Sequence, residues 1–461
     1  MSEAKTKETD CEDRISALPE ELLVTILLLV PIQDAVATMI LSKRWRYIWM
    51  MLPILDYNEN NDDNHDHVVS DDDDDDDDDD GDDGESKKSI WWFLDKSLEL
   101  HKAHVLAILL INLGRRCPTD TNVGKWVAKA VDRGVVVVKF KLRWTAGPTK
   151  LPKSLYTCET LQELTLSYRI LVDLPSNSCL PSLKTLQLIC VVYKDEASLS
   201  RFLSSCPVLI FLAMKRKKND NLTKFVVKVP SLQVLWYHNT SSSQDDNDLV
   251  DSGNCLVIDT PALTTISFTD YSRDSWSIGN MPCLEEAGIS VNSLSNFDKI
   301  ITASSAILSL DLTFTDEMLV HCSTLRFSRL IRLSLDLSIS DWVEPLFLLL
   351  DNTPKLEEFS ANSDFTSEPE DIPLTWYQPS SIPGCLSSHL KIFEWRYYGD
   401  REEEEGFLTY ILSNSKCLKT TTISLRPMLA PEEQDFIIEK LKDIPRVSTS
   451  SHLFVQSKIQ F

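Results

Sequence analysis

The side chains best able to hold a metal ion are concentrated in one acidic stretch of this 461-residue chain. Aspartate is unbroken from Asp71 to Asp80, and His65, Asp66 and His67 come shortly before it. Clustered carboxylates can bind divalent cations through their oxygens. A calcium loop of the EF-hand type needs spaced ligands and a central glycine, which an aspartate run does not supply. We therefore interpret the stretch as a solvated low-complexity spacer. Weak cation binding and attachment to a basic partner are the alternatives.

The same stretch accounts for most of the charge of the chain. There are 46 Lys and Arg against 70 Asp and Glu, which gives a formal net charge of −24. The 17 acidic residues between Glu59 and Glu85 contribute most of it, and −7 remains without them. Residues 58–88 have almost no apolar side chains and repel one another, so they are predicted to form an acidic disordered linker. The overall charge argues against nucleic acid or an anionic membrane as a partner.

The cysteines show no pattern that indicates disulfides or a metal site. There are 11 of them, an odd number, and none forms a CxxC pair. A secreted disulfide framework has closely spaced cysteines in even number. The polar first residues have no apolar core of a secretory signal, and no apolar run approaches the ~18 residues of a spanning helix. We therefore expect a protein of the cytoplasm and/or nucleus.

No catalytic signature is found in the sequence. P-loop, HExxH, GxSxG and kinase motifs are missing, and only 12 glycines are present for phosphate-binding loops. We expect no cofactor, no catalytic residue and no enzyme activity. His101 and His104 fall in a stretch predicted to be helical, residues 96–110, and are interpreted as surface or core residues. The basic run Lys215–Lys218 is interpreted as a solvated turn, with a nuclear-import or acidic-partner patch as the alternative.

Residues 13–57 have the pattern of three short helices. Pro19 suits the first turn of a helix because proline lacks an N–H, and Pro31 ends this first helix. A second helix is predicted over residues 34–40 and a third after Ser42. The first helix has apolar residues at helical spacing: Leu22, Leu23, Ile26, Leu27 and Val30. Such a small unit buries little surface and has apolar residues to spare, which indicates a partner.

Three parts of this unit resemble the F-box motif. They are LPEELL at Leu18–Leu23, PIQDAVAT at Pro31–Thr38 and LSKRWRYIW at Leu41–Trp49. The resemblance is to the plant proteins in which an F-box, leucine-rich repeats and a C-terminal FBD segment share one chain. LSKRWR followed by a tryptophan is its most specific part. Leu28 and Leu29 stand where the family often has a serine and an aromatic residue.

This resemblance implies a role in protein ubiquitylation. F-boxes dock on a Skp-type adaptor, which connects them to a cullin and a ubiquitin-loading RING module. Aromatic and aliphatic side chains on a small helical unit are typical interface anchors. The alternative is that these side chains only hold the helices together. The adaptor-facing positions implied by the motif are Leu18, Pro19, Leu22, Ile26, Val36, Leu41 and Trp45.

Residues 89–383 are predicted to form a leucine-rich-repeat solenoid. From about residue 137 the phrase L-x-x-L-x-L recurs every 21 to 34 residues, and leucine-rich repeats are roughly 20–29 residues long. The longest intervals predict insertions at Thr240–Asp251 and Thr366–Pro383. Proline cannot donate to a strand ladder, so it fits just before each strand. Several repeats have one there: Pro181, Pro207, Pro230, Pro261, Pro282 and Pro354.

The residues between the leucines should point outward from the strands and contact the target. They are partly apolar and partly acidic with few cations, which favours a protein ligand over nucleic acid. Phe211 and Trp236 are the aromatic anchors we expect. The other candidates for substrate binding are Glu163, Gln187 and Arg332.

Residues 384–461 are predicted to close the solenoid. CLSSHLKIFEWRYYGDREEEEGFLTYILSNSKCLK resembles the FBD segment, and Pro431 should open a helix that contains Phe436, Ile437 and Leu441. We interpret this segment as a cap on the last repeat. The predicted fold class is therefore α/β. It has a small N-terminal three-helix F-box, a solenoid of short parallel strands with helical or irregular returns, and a C-terminal FBD cap.

The sequence supports two hypotheses of function. The first is a non-enzymatic substrate-recognition subunit of an SCF-type (Skp adaptor–cullin–F-box) ubiquitin-protein ligase, in which the F-box binds the adaptor and the repeats bind a target protein. The alternative is a non-ligase leucine-rich-repeat scaffold whose first helices only cap the repeats. The identity of the target does not follow from the sequence.

Overall fold

The computed structural model describes the chain in separate stretches: residues 15, 18–58, 90–114, 123–143, 147–217, 220–239, 254–272, 274–291, 300, 306–314, 326–337, 342–363, 376, 378–379, 381–427 and 429–456. The fold is mixed α/β, as predicted. Two compact units divide the chain, residues 1–208 and residues 209–461. Most of the acidic stretch and both predicted insertions lie largely outside the described residues.

Three short helices open the first unit. They are α1 (Glu20–Leu27), α2 (Ile32–Ala37) and α3 (Trp45–Ile48), with 3-10 turns at Thr38–Ile40 and Trp49–Met51. Pro19 and Pro31 stand directly before α1 and α2, where a missing N–H costs nothing. The Arg44 guanidinium donates to the Leu18 carbonyl at 2.6 Å and connects the start of α3 to the start of α1. The predicted three-helix unit is confirmed.

Five parallel strands form the main sheet of the first unit, in the order β1, β2, β3, β5, β7. Three helices and the 3-10 helix Lys153–Thr157 accompany them, and a small second sheet joins the returns. The main strands are β1 (Ile54–Asn58), β2 (Ile108–Leu113), β3 (Val137–Leu142), β5 (Glu163–Tyr168) and β7 (Thr185–Ile189); the small sheet has β4 (Thr149–Lys150), β6 (Ile170–Val172) and β8 (Val192–Tyr193); the helices are α4 (Ile90–Leu100), α5 (Val123–Val131) and α6 (Ser198–Ser204).

The helix predicted over residues 96–110 is wrong in its second half. Helix α4 ends at Leu100, and Ile108 begins strand β2. Burial alternates along β2, so the apolar residues there have the period of a strand with one face in the core. The sheet therefore begins well before residue 137, where the leucine phrase becomes regular.

Strand β1 connects the three helices directly to the repeats. It pairs in parallel with β2, which lies on the far side of the acidic stretch in sequence. The Met50 carbonyl accepts the N–H groups of Lys102 and Ala103, both at 2.9 Å, and the Tyr57 and Ser97 hydroxyls lie 2.7 Å apart. The three helices and the first repeats therefore pack into one unit. Apart from Asn58, which ends β1, the acidic linker predicted over residues 58–88 lies outside the described residues and stays a prediction.

Ten parallel strands form the main sheet of the second unit, and a separate sheet joins three of the returns. The main strands are β9 (Phe211–Lys215), β11 (Val234–Asn239), β13 (Thr265–Asp270), β15 (Glu286–Val291), β16 (Ser309–Phe314), β17 (Arg332–Leu337), β18 (Glu358–Asn362), β19 (Ile392–Tyr398), β20 (Thr420–Leu425) and β21 (His452–Gln456); the return sheet has β10 (Lys224–Lys228), β12 (Cys255–Asp259) and β14 (Ser275–Ile278); the helices are α7 (Val343–Asp351), α8 (Gly384–Ser388), α9 (Glu402–Asn414) and α10 (Pro431–Asp443).

The leucine phrase sets the register of this sheet. The second apolar position of the phrase is buried on every main-sheet strand from β9 to β19. It pairs with the same position on the neighbouring main-sheet strand. A one-residue slip would turn all of these side chains to solvent, so the register is strongly specified. The paired positions are Leu212, Leu235, Ile266, Ala287, Leu310, Leu333, Phe359 and Phe393.

The C-terminal residues extend the same sheet and add an aromatic core. Strands β19, β20 and β21 continue the parallel order, and α10 begins at Pro431 as predicted. Phe407 of α9 lies 5.4 Å from both Trp342 and Trp395, ring centroid to centroid. Gly406, the residue before it, lies directly against the Trp376 indole. The FBD-like segment therefore takes part in the repeat core and is not an appended domain.

Candidate functional site

The three-helix unit exposes many apolar side chains. Helix α1 buries Leu23 and Leu27, which are one turn apart, and leaves the neighbouring Leu22 and Ile26 in solvent. The 3-10 turn after α2 exposes Ile40 (85%) and Leu41 (63%). Soluble monomers rarely expose so many large apolar residues in one small region without a partner. The exposed apolar set of this unit consists of Leu22, Ile26, Leu28, Leu29, Val30, Ile40, Leu41 and Tyr47.

The predicted adaptor-facing residues are not equally accessible. Pro19, Leu22, Ile26 and Leu41 are exposed, and Leu18 and Val36 are half-buried. Trp45 is only 5% exposed, which differs from the expectation of a surface anchor. The reason is its helical spacing: Trp45, Ile48 and Trp49 share the inner stripe of the third helical segment.

Trp45 therefore packs inside the unit in this structure, and the adaptor-facing role of all seven positions stays a prediction. Ile40 and Leu29 were not among the adaptor-facing positions predicted from the sequence, although they are the most exposed members of the exposed apolar set. Leu29 stands at one of the two positions where the sequence departs from the F-box pattern. This departure was the signal in the sequence that could have identified Leu29 as an exposed apolar residue.

In the first unit, the outward face of the repeats carries two of the predicted substrate-binding residues. Glu163 of β5 is half-buried, and its carboxylate lies 2.7 Å from the Lys139 ammonium on β3. Gln187 of β7 is half-buried and pairs across the ladder with Thr165. The alternation of buried leucines with these accessible polar residues follows the predicted phrase.

In the second unit, the face carries the other three. Trp236 is 53% exposed, and its ring lies 5.2 Å from that of Phe211 in an edge-to-face arrangement. Arg332 is also exposed, and its guanidinium lies 3.2 Å from the Glu286 carboxylate. The structure thus brings Phe211 and Trp236 together as an aromatic pair. Arg332 is already ion-paired within the chain.

Comparison with known proteins assigns each of these regions to a family. The F-box domain model matches residues 15–57. A model described as FBD-associated F-box protein At5g56370, LRR repeats, matches residues 123–303, and the FBD model matches residues 378–423. The three matches follow the order in which the helices, the repeats and the C-terminal strands occur.

Relatives from Arabidopsis thaliana match over nearly the whole chain. The FBD-associated F-box protein At1g05080 is 54% identical over 98% of this chain and 99% of its own length. The chain belongs to the F-box/FBD/LRR-repeat family. The F-box/FBD/LRR-repeat proteins At1g22000 and At3g49480 of the same plant are 44% and 42% identical, over 97% and 95% of this chain and 92% and 95% of their own lengths. The plant family expected from the sequence is confirmed.

Membership of the F-box/FBD/LRR-repeat family indicates the general role of the chain. An F-box joined to leucine-rich repeats indicates an adaptor that recognises a target protein. F-box domains in general bind Skp-type adaptors. Proteins of this family are typically adaptors without catalytic activity.

One member of the basic run Lys215–Lys218 of this F-box/FBD/LRR-repeat protein, Arg216, is not part of a surface patch. Arg216 is buried, and its guanidinium donates to Asp220 at 2.7 Å and to Asp274 at 3.1 Å. The same group lies 4.9 Å from the centre of the Phe225 ring. Burial by itself would lower the pKa of Arg216, but Asp220 and Tyr237 together raise it above the ordinary value, so its charge is fixed. The solvated-turn interpretation is wrong for Arg216, which has a structural role.

His101 fixes the junction between the F-box and the first repeat. Its ring is 2% exposed, and Nε2 lies 2.8 Å from the Leu52 carbonyl. The Arg133 guanidinium can only donate, so Nδ1, at 2.7 Å, accepts from it and Nε2 carries the hydrogen. Burial is the main cause that lowers the pKa of His101, to about 4. The neutral ring thus connects three segments, and of the surface and core positions left open by the sequence, His101 has the core position.

No cluster of three or more histidine, cysteine or carboxylate side chains among the described residues is arranged to hold a metal ion. The eight described cysteines form no disulfide with one another. Among the helices described, none combines the length and the apolar character that crossing a membrane requires.

Proposed function

We propose that this F-box/FBD/LRR-repeat protein is the substrate-recognition subunit of an SCF-type ubiquitin-protein ligase. Its F-box docks on a Skp-type adaptor and reaches a cullin through it, and its repeats bind the protein to be modified. The observation that carries the proposal is the exposed apolar set of the three-helix unit. The F-box match and the F-box relatives support the same role. The site of action proposed is the cytoplasm and/or the nucleus, which fits described cysteines that are in the thiol form and not in disulfides.

The exposed apolar set fits a protein partner for a physical reason. Aliphatic side chains gain roughly 25 cal/mol for each Å² removed from water. The set gains nothing while it stays exposed, because the helices have already used Leu23, Leu27 and Trp45 for their own core. A partner that covers Leu22, Ile26, Ile40 and Leu41 would recover that free energy. Interfaces of this kind place most of it in a few central side chains.

Binding of purified full-length protein to a Skp-type adaptor tests this proposal. We expect the wild-type chain to form a complex and Leu41→Asp to weaken it about tenfold or more, because a charge would replace a central apolar contact. Val105→Asp is the matched control, since Val105 is 58% exposed in the same unit but lies outside the exposed apolar set. It should bind the adaptor like wild type, as measured by isothermal titration calorimetry.

Two outcomes would contradict the proposal. The first is a folded wild-type chain that binds no Skp-type adaptor. The second is equal loss of binding in Leu41→Asp and Val105→Asp, which would mean that the contact is not at the F-box. If the chain binds target proteins and its removal leaves their turnover unchanged, the non-ligase scaffold is correct.

A further inference from the structure

The sheet face around Trp236 in the second unit has an apolar region next to an acidic one. Phe211, Val234 and Trp236 lie on the two adjoining strands β9 and β11, and their side chains alternate with the buried leucines. Among the main-sheet strands from β11 to β18, the outward-facing charged side chains are four carboxylates and one guanidinium, Arg332; Lys215 of β9 and Arg396 of β19 stand on the two flanking strands. The carboxylates belong to Glu286, Asp311, Asp336 and Glu358.

A single row of paired residues connects the two regions. Trp236 pairs with Ser267, Ser267 with Gly288, and Gly288 with Asp311. Trp236 is 53% exposed, and the two residues that stand in this row between it and Asp311 are small. Neighbouring strands are about 4.8 Å apart, so three strand steps place Asp311 about 14 Å from Trp236.

The Asp311 carboxyl shows why a cation would be favoured there. Partial burial raises the pKa of this carboxyl above the ordinary aspartate value, whereas a hydrogen bond from Ser334 and the charge of Arg396 act in the opposite direction. An ionised carboxylate that has lost part of its hydration is stabilised by an incoming cation. Asp311 has no ion pair among the described residues, whereas Glu286 has one with Arg332.

We propose that this face binds an extended segment of a partner protein that carries an apolar side chain and, about four residues away, a lysine or arginine. The apolar side chain packs on Trp236 and Phe211, and the cation pairs with Asp311. The four-residue interval follows from the extended chain, which rises about 3.4 Å per residue and so covers the 14 Å between the two sites. The identity of this partner as the target of the ligase rests on the proposed function, whereas the binding site itself does not.

Panning a displayed library of random peptides against the full-length chain tests the proposal. We expect enrichment of peptides with an apolar residue and a basic residue about four positions apart. The enriched peptide, labelled with fluorescein, should lose about tenfold or more in affinity for Trp236→Ala and for Asp311→Asn. Phe454→Ala is the matched control, because Phe454 is 52% exposed on β21 at the far end of the same face. It should leave the affinity unchanged.

A charge swap separates a direct contact from a general loss of folding. Asp311→Lys should bind the enriched peptide weakly, and it should regain affinity for the same peptide with its basic residue replaced by glutamate. No enrichment, enrichment without the spaced pair, or equal effects of Trp236→Ala and Phe454→Ala would overturn the inference. Adaptor binding by Trp236→Ala is measured in parallel. If this variant still binds the adaptor, a failed peptide experiment does not count against the ligase role. If the wild-type chain binds the peptide but no adaptor, the ligase role fails and the peptide site remains.

Discussion

At the scale of single residues, His101 makes the stability of the first unit depend on pH. Its folded-state pKa of about 4 lies below the ordinary value of 6.5 mainly because burial disfavours the charged ring, and secondarily because the positive charge of Arg133 repels a proton there. Between these values the unfolded chain binds a proton that the folded chain does not. The free energy of unfolding therefore falls as pH drops from 6.5 to 4, by about 3 kcal/mol in total, and this contribution does not change further below pH 4.

The variant His101→Gln should show a shallower decline of the thermal unfolding midpoint between pH 6.5 and pH 4 than wild type, because glutamine keeps a donor and an acceptor but does not titrate in this range. His104→Gln is the control: His104 is exposed nearby and should retain the wild-type pH profile. Equal slopes for wild type and His101→Gln would mean that His101 does not control the decline.

At the scale of elements, Gly406 shows how packing reverses a helix propensity. Alanine normally stabilises a helix interior by about 1 kcal/mol relative to glycine. A Cβ at position 406 of α9 would run into the Trp376 indole, so we expect Gly406→Ala to lower stability by about 1–3 kcal/mol. Gly384→Ala in α8 is the matched control, because a Cβ there meets no atom within 4 Å. Thermal unfolding of both variants measures the difference.

A higher unfolding midpoint for Gly406→Ala would contradict this account, since it would mean that the Trp376 ring moves aside at little cost. If Gly384→Ala were destabilised as much, the loss would be due to helix geometry in general and not to the tryptophan.

The same scale shows what the sequence could and could not predict. The leucine phrase predicted most strands of the second unit, because one buried face imposes a period of two along each strand. Strand β1 was missed, since Ile54–Asn58 directly follows the F-box helices and its partner β2 lies beyond the acidic stretch. The burial of Trp45 did not follow from the sequence, because a motif identifies a residue but not which side of a short helix is covered. Pairing between distant segments is a tertiary property that local periodicity does not encode.

At the scale of the whole molecule, the pairing of β1 with β2 predicts that the F-box cannot be removed cleanly. A chain that begins at Ile90 would lose β1, leaving the backbone groups of β2 unpaired at an open edge, which favours aggregation. It would also lose the Met50 and Leu52 carbonyls that bind the residues after α4. We expect this truncated chain to elute as aggregate in size-exclusion chromatography with light scattering.

The matched comparison is the full-length chain with Ile40→Asp and Leu41→Asp, which should remain monodisperse while losing the adaptor. If the truncated chain were equally monodisperse and unfolded at the wild-type temperature, the F-box would be an independent module after all. Experiments that separate adaptor-dependent partners from targets should therefore use the double variant and not the deletion.

The strand β1 also bears on where ubiquitin would be attached if the ligase role holds. Strand β1 joins the F-box to the first repeats through a shared sheet, which restricts rotation of the F-box relative to these repeats. A protein bound to these repeats therefore has one orientation relative to the F-box. Only lysines of that protein that face the ubiquitin-loaded enzyme would then be modified. Lengthening the acidic stretch between Asn58 and Ile90 would not increase the number of target lysines that are modified, since the sheet and not the linker fixes the orientation of the target.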